Sequence, residues 1–300
     1  MELTLGPALF EWKKDELFRF YEDVASMPVD RVYIGEAVCV KKRGLGEDEL
    51  RGVISMLQKA GKKVALSSLA VISNEEELEF TRRLIALHPS IEANDMAVMN
   101  MVDAKKTEVF AGPHITTYNG PSIEFLKGAG VRRVSFPVEM SREAISHAVR
   151  ETGVESEVFA HGKAPLAFSW RCYTSRAHGL DKTGCKHHCA MYPDGMELKT
   201  LEGTPVFTVN GTSILSADVY SLIDFVEDLR EIGVAALRIS PQYKNTADVV
   251  QTFRKRLDGE LNAQEAVQAL RATTTNGFCN GWYAGKAGIE LIEAAGLGIG

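Results

Sequence analysis

The chain of 300 residues carries 34 Lys and Arg against 40 Asp and Glu, a formal charge of −6, and 45% of its residues are hydrophobic. This is a globular composition with enough apolar material for a sizeable core. The acidic balance disfavours a nucleic-acid or anionic-membrane surface, which needs concentrated Lys and Arg, so clusters such as Lys41-Lys42-Arg43 and Arg254-Lys255-Arg256 read as solvated surface. The start, Met1-Glu2-Leu3-Thr4-Leu5-Gly6-Pro7, lacks the basic and apolar segments of a signal peptide, and no apolar run is long enough to span a bilayer, so the expectation is a cytoplasmic protein.

In chain order, strands are expected at about 2–5, 31–34, 63–66, 90–93, 108–111, 131–136, 154–160 and 234–239. Helices are expected at about 13–25, 47–60, 74–87, 119–129, 141–151, 217–231, 245–257 and 263–271, from apolar residues spaced by three and four. A recurring step from an amphipathic helix through Gly into a β-branched run, as at Ala129-Gly130 before Val131 and Ile232-Gly233 before Val234, marks helix ends feeding strands. Ser73 or Asn74, and Ser141 with Glu143, supply helix starts. Eight strands interleaved with helices predict an α/β fold, a (β/α)8 TIM-like barrel with room for irregularity, with a doubly wound sheet as runner-up. The whole chain, 1–300, reads as one barrel-like domain.

The regular pattern stops between about 161 and 216, after the seventh strand, in a stretch holding three of the five cysteines and four of the seven histidines. A long insertion this rich in Cys and His reads as functional. In a βα barrel the segments after each strand share one rim, so Cys39, just past the second strand, joins Cys172, Cys185 and Cys189 there. Five cysteines in a reducing compartment point to metal binding or catalysis before disulfides. Their spacing leaves a tetrahedral zinc site and a cubane iron–sulfur cluster both open. His187 and His188 are alternative ligands, and Cys279 reads as a buried small side chain. Glu36, Glu92, Glu139, His114 and His161 are candidate rim acids and bases. Arg171, Arg176, Arg238 and Gln242 are candidates for an anionic substrate, since Arg grips carboxylates in a bidentate fork; Arg238 could equally be an ion-pair partner inside the barrel. No dinucleotide-binding, Walker, serine-hydrolase or His-Glu-x-x-His motif is present, and a peptidase reading finds no nucleophile.

Gly35-Glu36-Ala37-Val38-Cys39, Arg171-Cys172-Tyr173-Thr174-Ser175-Arg176, Cys185-x-x-x-Cys189-x-x-Tyr192-Pro193 and Cys279-Asn280-Gly281-Trp282-Tyr283 together resemble the ubiquinone-biosynthesis members of the collagenase-like peptidase family, over essentially the whole chain. The peptidase label is historical for many members. The resemblance implies a [4Fe–4S] cluster on Cys39, Cys172, Cys185 and Cys189. It also implies a heterodimer with a UbiU-type sister protein that hydroxylates ubiquinone precursors without O2, with prephenate as oxygen source and a UbiT-type lipid-binding accessory protein. A zinc-stapled hydrolase or peptidase, or an RNA-modifying iron–sulfur enzyme, are the alternatives.

Overall fold

The computed structural model describes residues 1–42 and 44–297. The first half of the chain is a run of βα units: β1 (Glu2–Leu5), α1 (Lys14–Ser26), β2 (Arg31–Gly35), α2 (Glu47–Lys59), β3 (Lys63–Ser67), α3 (Glu75–Leu87), β4 (Ser90–Ala93), α4 (Met96–Met101), β5 (Glu108–Ala111), α5 (Gly120–Gly128), β6 (Val131–Ser135), α6 (Arg142–Thr152) and β7 (Glu155–Phe168). Then come α7 (Tyr173–Ala177), β8 (Met196–Lys199), β9 (Pro205–Asn210), β10 (Ser213–Ser221), α8 (Val226–Ile232), β11 (Ala236–Ile239), α9 (Thr246–Leu257), α10 (Ala263–Arg271) and β12 (Phe278–Cys279). Strands β1 to β7 pair in sequence order, and β11 pairs in parallel with both β7 and β1. The ring is therefore a closed eight-stranded parallel barrel with helices around it, a TIM-barrel-like α/β fold.

Local chemistry sets the element ends. Asn74, Asp95, Asn119, Ser141 and Asn262 each cap a helix by accepting a backbone N–H with the side chain, a contribution of about 1 kcal/mol apiece. At the start of α3 the cap is Asn74, while Ser73 donates to the Glu77 carboxylate from both its backbone and its hydroxyl.

Two expectations are corrected. The helix expected at 217–231 is β10 through Ser221, a 3-10 turn at Ile223–Phe225 and then α8. Residues Ser213 to Ser221 alternate in burial and are hydrogen-bonded to strands on both sides, so ladder pairing overrides a weak helical spacing. The seventh strand, expected to stop at 160, runs on to Phe168, because its outer half pairs antiparallel with β10, Tyr220 opposite Gly162 and Ser213 opposite Phe168. Much of the stretch 161–216 is thus an antiparallel extension of the sheet in the order β7-β10-β9-β8. The three cysteines lie in the loop between β7 and β8, which also holds the short helix α7.

Most residues of the barrel strands alternate between two faces. Outward residues such as Leu3, Val32, Ile34, Leu66, Ile91, Val134, Leu237 and Ile239 join the main core under the helices. Inward residues are different. TIM barrels usually fill the lumen with branched aliphatics; here Tyr33, Ala65 and Phe110 form a small apolar plug, and Arg133, Glu157, Glu92, Ser67 and Arg238 are buried around it.

Candidate functional site

The rim is built from the loop after β2. Glu36 turns its side chain back so that Oε1 accepts from Val38 N at 2.8 Å and Cys39 N at 3.1 Å, with Lys42 Nζ at 3.1 Å from the same oxygen. One carboxylate thereby fixes the backbone that presents Cys39. Burial raises the Glu36 carboxyl, against the pull of Lys42 and the two backbone donors.

The other cysteines are tied to this loop through the sheet extension. Thr212 Oγ1 donates to Val38 O at 2.9 Å, Tyr173 N donates to Gly211 O at 2.7 Å, and Gly211 N donates to Thr174 Oγ1 at 3.1 Å. The β9–β10 turn therefore clamps the Cys39 loop to α7, whose N-cap is Cys172, with its sulfur accepting from Ser175 N at 3.4 Å. Lys41 Nζ donates to Lys182 O at 2.9 Å, joining the same loop to the approach to Cys185. Cys185 Sγ accepts from His187 N at 3.3 Å. Trp12 Nε1 donates to Pro193 O at 2.8 Å, anchoring the segment after Cys189.

Electrostatics record the same convergence. Burial pushes the Cys189 thiol up to about 12, with Glu11, Cys185 and Cys172 adding to the rise and Lys42 opposing it. Burial likewise raises Cys39, whose field includes Glu36, Lys182 and Lys42. Lys42 thus acts on both Cys39 and Cys189. All five cysteines are free thiols. Among the described residues, no group of three or more His, Cys, Asp or Glu side chains is arranged to hold a metal ion.

Of the two candidate histidines, His187 lies beside a carboxylate, while His188 keeps a buried Nδ1 without a hydrogen-bond partner. His187 Nδ1 lies 3.6 Å from Glu11. The His188 ring packs at a tilt on His178 with centroids 4.1 Å apart, and His178 bonds the Tyr192 hydroxyl at 3.1 Å. Cys279 sits on β12 against β10, opposite Tyr220, and burial pushes its thiol up to about 12.

The four residues nominated for an anion do not share one contact. Arg171 and Arg176 are exposed on either side of Cys172, Arg171 lying over the Trp170 ring. Gln242 follows β11, and its side-chain nitrogen is buried without a hydrogen-bond partner. Arg238 is in the lumen, 4% exposed, and its guanidinium bonds both Glu92 and Glu157, 2.9 Å from the latter. Its charge is matched by two carboxylates, as in the ion-pair alternative.

Sequence reading missed most of this lumen network. Glu157 also accepts from Tyr33 Oη at 2.8 Å and Ser135 Oγ at 3.0 Å, and Glu92 from Ser67 Oγ at 2.6 Å. Burial alone would raise the Glu157 carboxyl, but Arg238, Arg133 and Tyr33 outweigh it and hold it low. The period-two placement of charges inside otherwise apolar strands was the available signal. Of the rim candidates, Glu92 belongs to this network, Glu139 pairs with Tyr118 Oη, and His161 is buried against Ser221 Oγ at 3.2 Å. His114 packs on Phe168, with centroids 4.1 Å apart. It lines a narrow crevice of about 20 Å³ at the barrel mouth together with Gly6, Ser67, Glu92, Asn94 and Arg238. Burial, and then Arg238, lower the imidazole to about 3, so it is neutral near pH 7.

Residues 19–293 match the profile of Peptidase family U32. The chain belongs to that family. The resemblance to collagenase-like peptidases thus stands at family level. Among curated relatives, the tRNA hydroxylation protein P1 of Bacillus subtilis (strain 168) is 27% identical over 165 residues, 52% of this chain and 38% of that protein. The collagenase of Porphyromonas gingivalis (strain ATCC BAA-308 / W83) is 24% identical over 306 residues, 90% of this chain and 72% of that protein. The chain therefore spans under two-fifths of the Bacillus relative. Among solved structures, a U32 peptidase aligns with TM-score 0.47 at 10% identity, covering 81% of this chain and 93% of that one. The N-acetylneuraminate lyase of Fusobacterium nucleatum aligns with TM-score 0.46 at 11% identity, covering 90% and 79%. No helix among the described residues is long and apolar enough to cross a membrane.

Proposed function

We propose that this U32-family chain is a UbiV-type iron–sulfur subunit of an oxygen-independent hydroxylase acting on ubiquinone precursors in the cytoplasm. It would pair with a UbiU-type sister protein, with prephenate as oxygen donor and a UbiT-type lipid-binding accessory protein. What supports it is that the three segments carrying the four free thiols are tied to one another by hydrogen bonds between side chains and backbone. A relative named for a hydroxylation supports the reaction class.

The donor set fits a cluster. Four thiols are a soft ligand set of the kind that iron–sulfur clusters take. Cys39, Cys172, Cys185 and Cys189 would hold the cluster, which when bound supplies one-electron redox chemistry. The rest is done by the chain. Ser175 N and His187 N donate to the sulfurs of Cys172 and Cys185, and Lys42 offsets negative charge beside Cys39 and Cys189. Hydrogen bonds to the sulfurs and local charge are the levers that set a cluster's potential.

The test is metal, sulfide and absorption analysis of protein purified without oxygen, with quinone content measured in cells grown without O2. About four irons and four sulfides per chain, a broad band near about 400 nm and loss of anaerobic quinone in a deletion strain are the expected results. A colourless protein with one zinc would sink the reading. Iron–sulfur protein that copurifies with RNA, with quinone unchanged, would move the substrate to RNA, in line with the name of the Bacillus relative.

A further inference from the structure

Three of the four thiols proposed to hold the cluster have a backbone donor. Lys41 N donates to Cys39 Sγ, Ser175 N to Cys172 Sγ at 3.4 Å and His187 N to Cys185 Sγ at 3.3 Å. Cys189 has no such donor among the described residues, although Cys172 and Cys185 are close enough to act on its thiol. The residue before it holds the converse defect: His188 Nδ1 is buried without a hydrogen-bond partner. Buried polar atoms are almost always paired, so an orphan donor next to an unserved acceptor calls for a common explanation.

The His188 ring is held in place by a closed circuit of contacts. It packs on His178 at 4.1 Å between centroids, His178 Nε2 bonds the Tyr192 hydroxyl at 3.1 Å, and Tyr192 N donates back to Cys189 O at 2.9 Å. The chain enters this circuit through His187, whose φ of 56° lies in the left-handed region that residues with a side chain rarely adopt. From that turn His187 N reaches Cys185 Sγ, and the 3-10 turn His188–Met191 carries Cys189. Among thiolate sulfurs, which accept and do not donate, an imidazole nitrogen is satisfied only as an N–H.

We propose that His188 is the missing donor: its Nδ1–H serves the sulfur of Cys189 when the four thiols hold their cluster, and His178 with Tyr192 fixes the ring for that purpose. The inference rests on the proposed cluster reading. His188 is then a positioning residue rather than a ligand. A hydrogen bond to a ligand sulfur favours the more electron-rich reduced state, so this one raises the potential.

The experiment is a redox titration of the full chain purified without oxygen, followed by absorbance, with iron and sulfide measured on each sample. His188→Phe keeps a ring against His178 and removes the N–H. It should retain iron and sulfide and shift the one-electron reduction equilibrium at least threefold toward the oxidised form, about 28 mV at about 59 mV per decade. His188→Asn, whose side-chain amide places an N–H near the position of Nδ1, should recover most of that shift, which a packing effect alone would not. His147→Phe, on the exposed face of α6, should match the unaltered chain. A potential unmoved by His188→Phe, or an equal shift in the Phe and Asn variants, would overturn the inference. Iron lost from His188→Phe with a normal unfolding curve would also overturn it, by making His188 a ligand. Unaltered protein without iron removes the cluster reading and this inference together, whereas iron-loaded protein with an unmoved potential removes the inference alone.

Discussion

Arg238 on β11 and Glu92 on β4 meet across the full width of the barrel, from strands on opposite sides of the ring, with Glu157 of β7 completing the contact. All three side chains are at most 4% exposed. A buried ion pair is a weak source of net stability, but removing one partner strands the other in the interior at a cost of about 3–5 kcal/mol. Here one guanidinium serves two carboxylates. Arg238→Met should therefore cost about 3–5 kcal/mol in urea unfolding, and the double variant Arg238→Met with Glu92→Gln should cost less than the sum of the single changes. Additive costs would show that the pair is not coupled.

Histidine burial sets the acid limit. His161 is 1% exposed, and burial lowers its imidazole to about 3, as burial and Arg238 do for His114. The folded chain keeps both rings neutral down to that pH, whereas the unfolded chain protonates them below the ordinary value of 6.5. The unfolded state therefore binds more protons between those limits, and stability is intact above pH 6.5 and falls as the pH drops. The slope from His161 is at most about 1.4 kcal/mol per pH unit. His114, partly open at the mouth, adds less. Urea midpoints between pH 6.5 and 5, above the carboxylate range, should fall steadily, and His161→Gln should flatten the decline. A midpoint flat across that window would contradict the buried neutral histidine.

The thiols should divide four to one. Cys39→Ala, Cys172→Ala, Cys185→Ala and Cys189→Ala should each lose most of the iron and sulfide from anaerobically purified protein. Cys279→Ala, on β12 beside β10, should keep both. Iron retained by Cys39→Ala would detach the β2 loop from the ligand set. Iron lost from Cys279→Ala, with the fold intact by circular dichroism, would bring the fifth thiol into it.

The barrel strands and most of their helices were legible because each βα unit carries its own local signals, such as Asn74 and Ser141 at helix starts and Gly153 at a helix end, where φ is 59°. The rim position of Cys39 followed from the fold alone, since strand ends of a parallel barrel share a face. The sheet extension was not legible. Whether residues 217–221 form a helix or a strand depends on a partner, the outer half of β7, that lies about sixty positions away. The lumen network was hidden for a related reason. Arg238 was legible as a possible partner inside the barrel, but its carboxylates were not, because only barrel closure through β11 brings Glu157 to face it.

Gly35 carries the last prediction. It closes the β2–β3 ladder opposite Ser67 and hands the chain to Glu36 at a φ of +145°, a conformation that L side chains rarely adopt. A Cβ there would sit 2.3 Å from the Ser67 carbonyl oxygen, a backbone atom that cannot swing aside. Gly35→Ala must therefore part β2 from β3 just where the Cys39 loop begins. Besides losing more than about 2 kcal/mol of stability, it should lower iron retention, because Glu36 can no longer hold Val38 N and Cys39 N together. Gly52→Ala is the matched control: it lies inside α2, exposed, with nothing within 4 Å of the added methyl. Helix propensity there favours alanine by about 0.5–1 kcal/mol, so this variant should unfold at slightly higher urea with its iron unchanged. Equal behaviour of the two variants would remove Gly35 from the construction of the site.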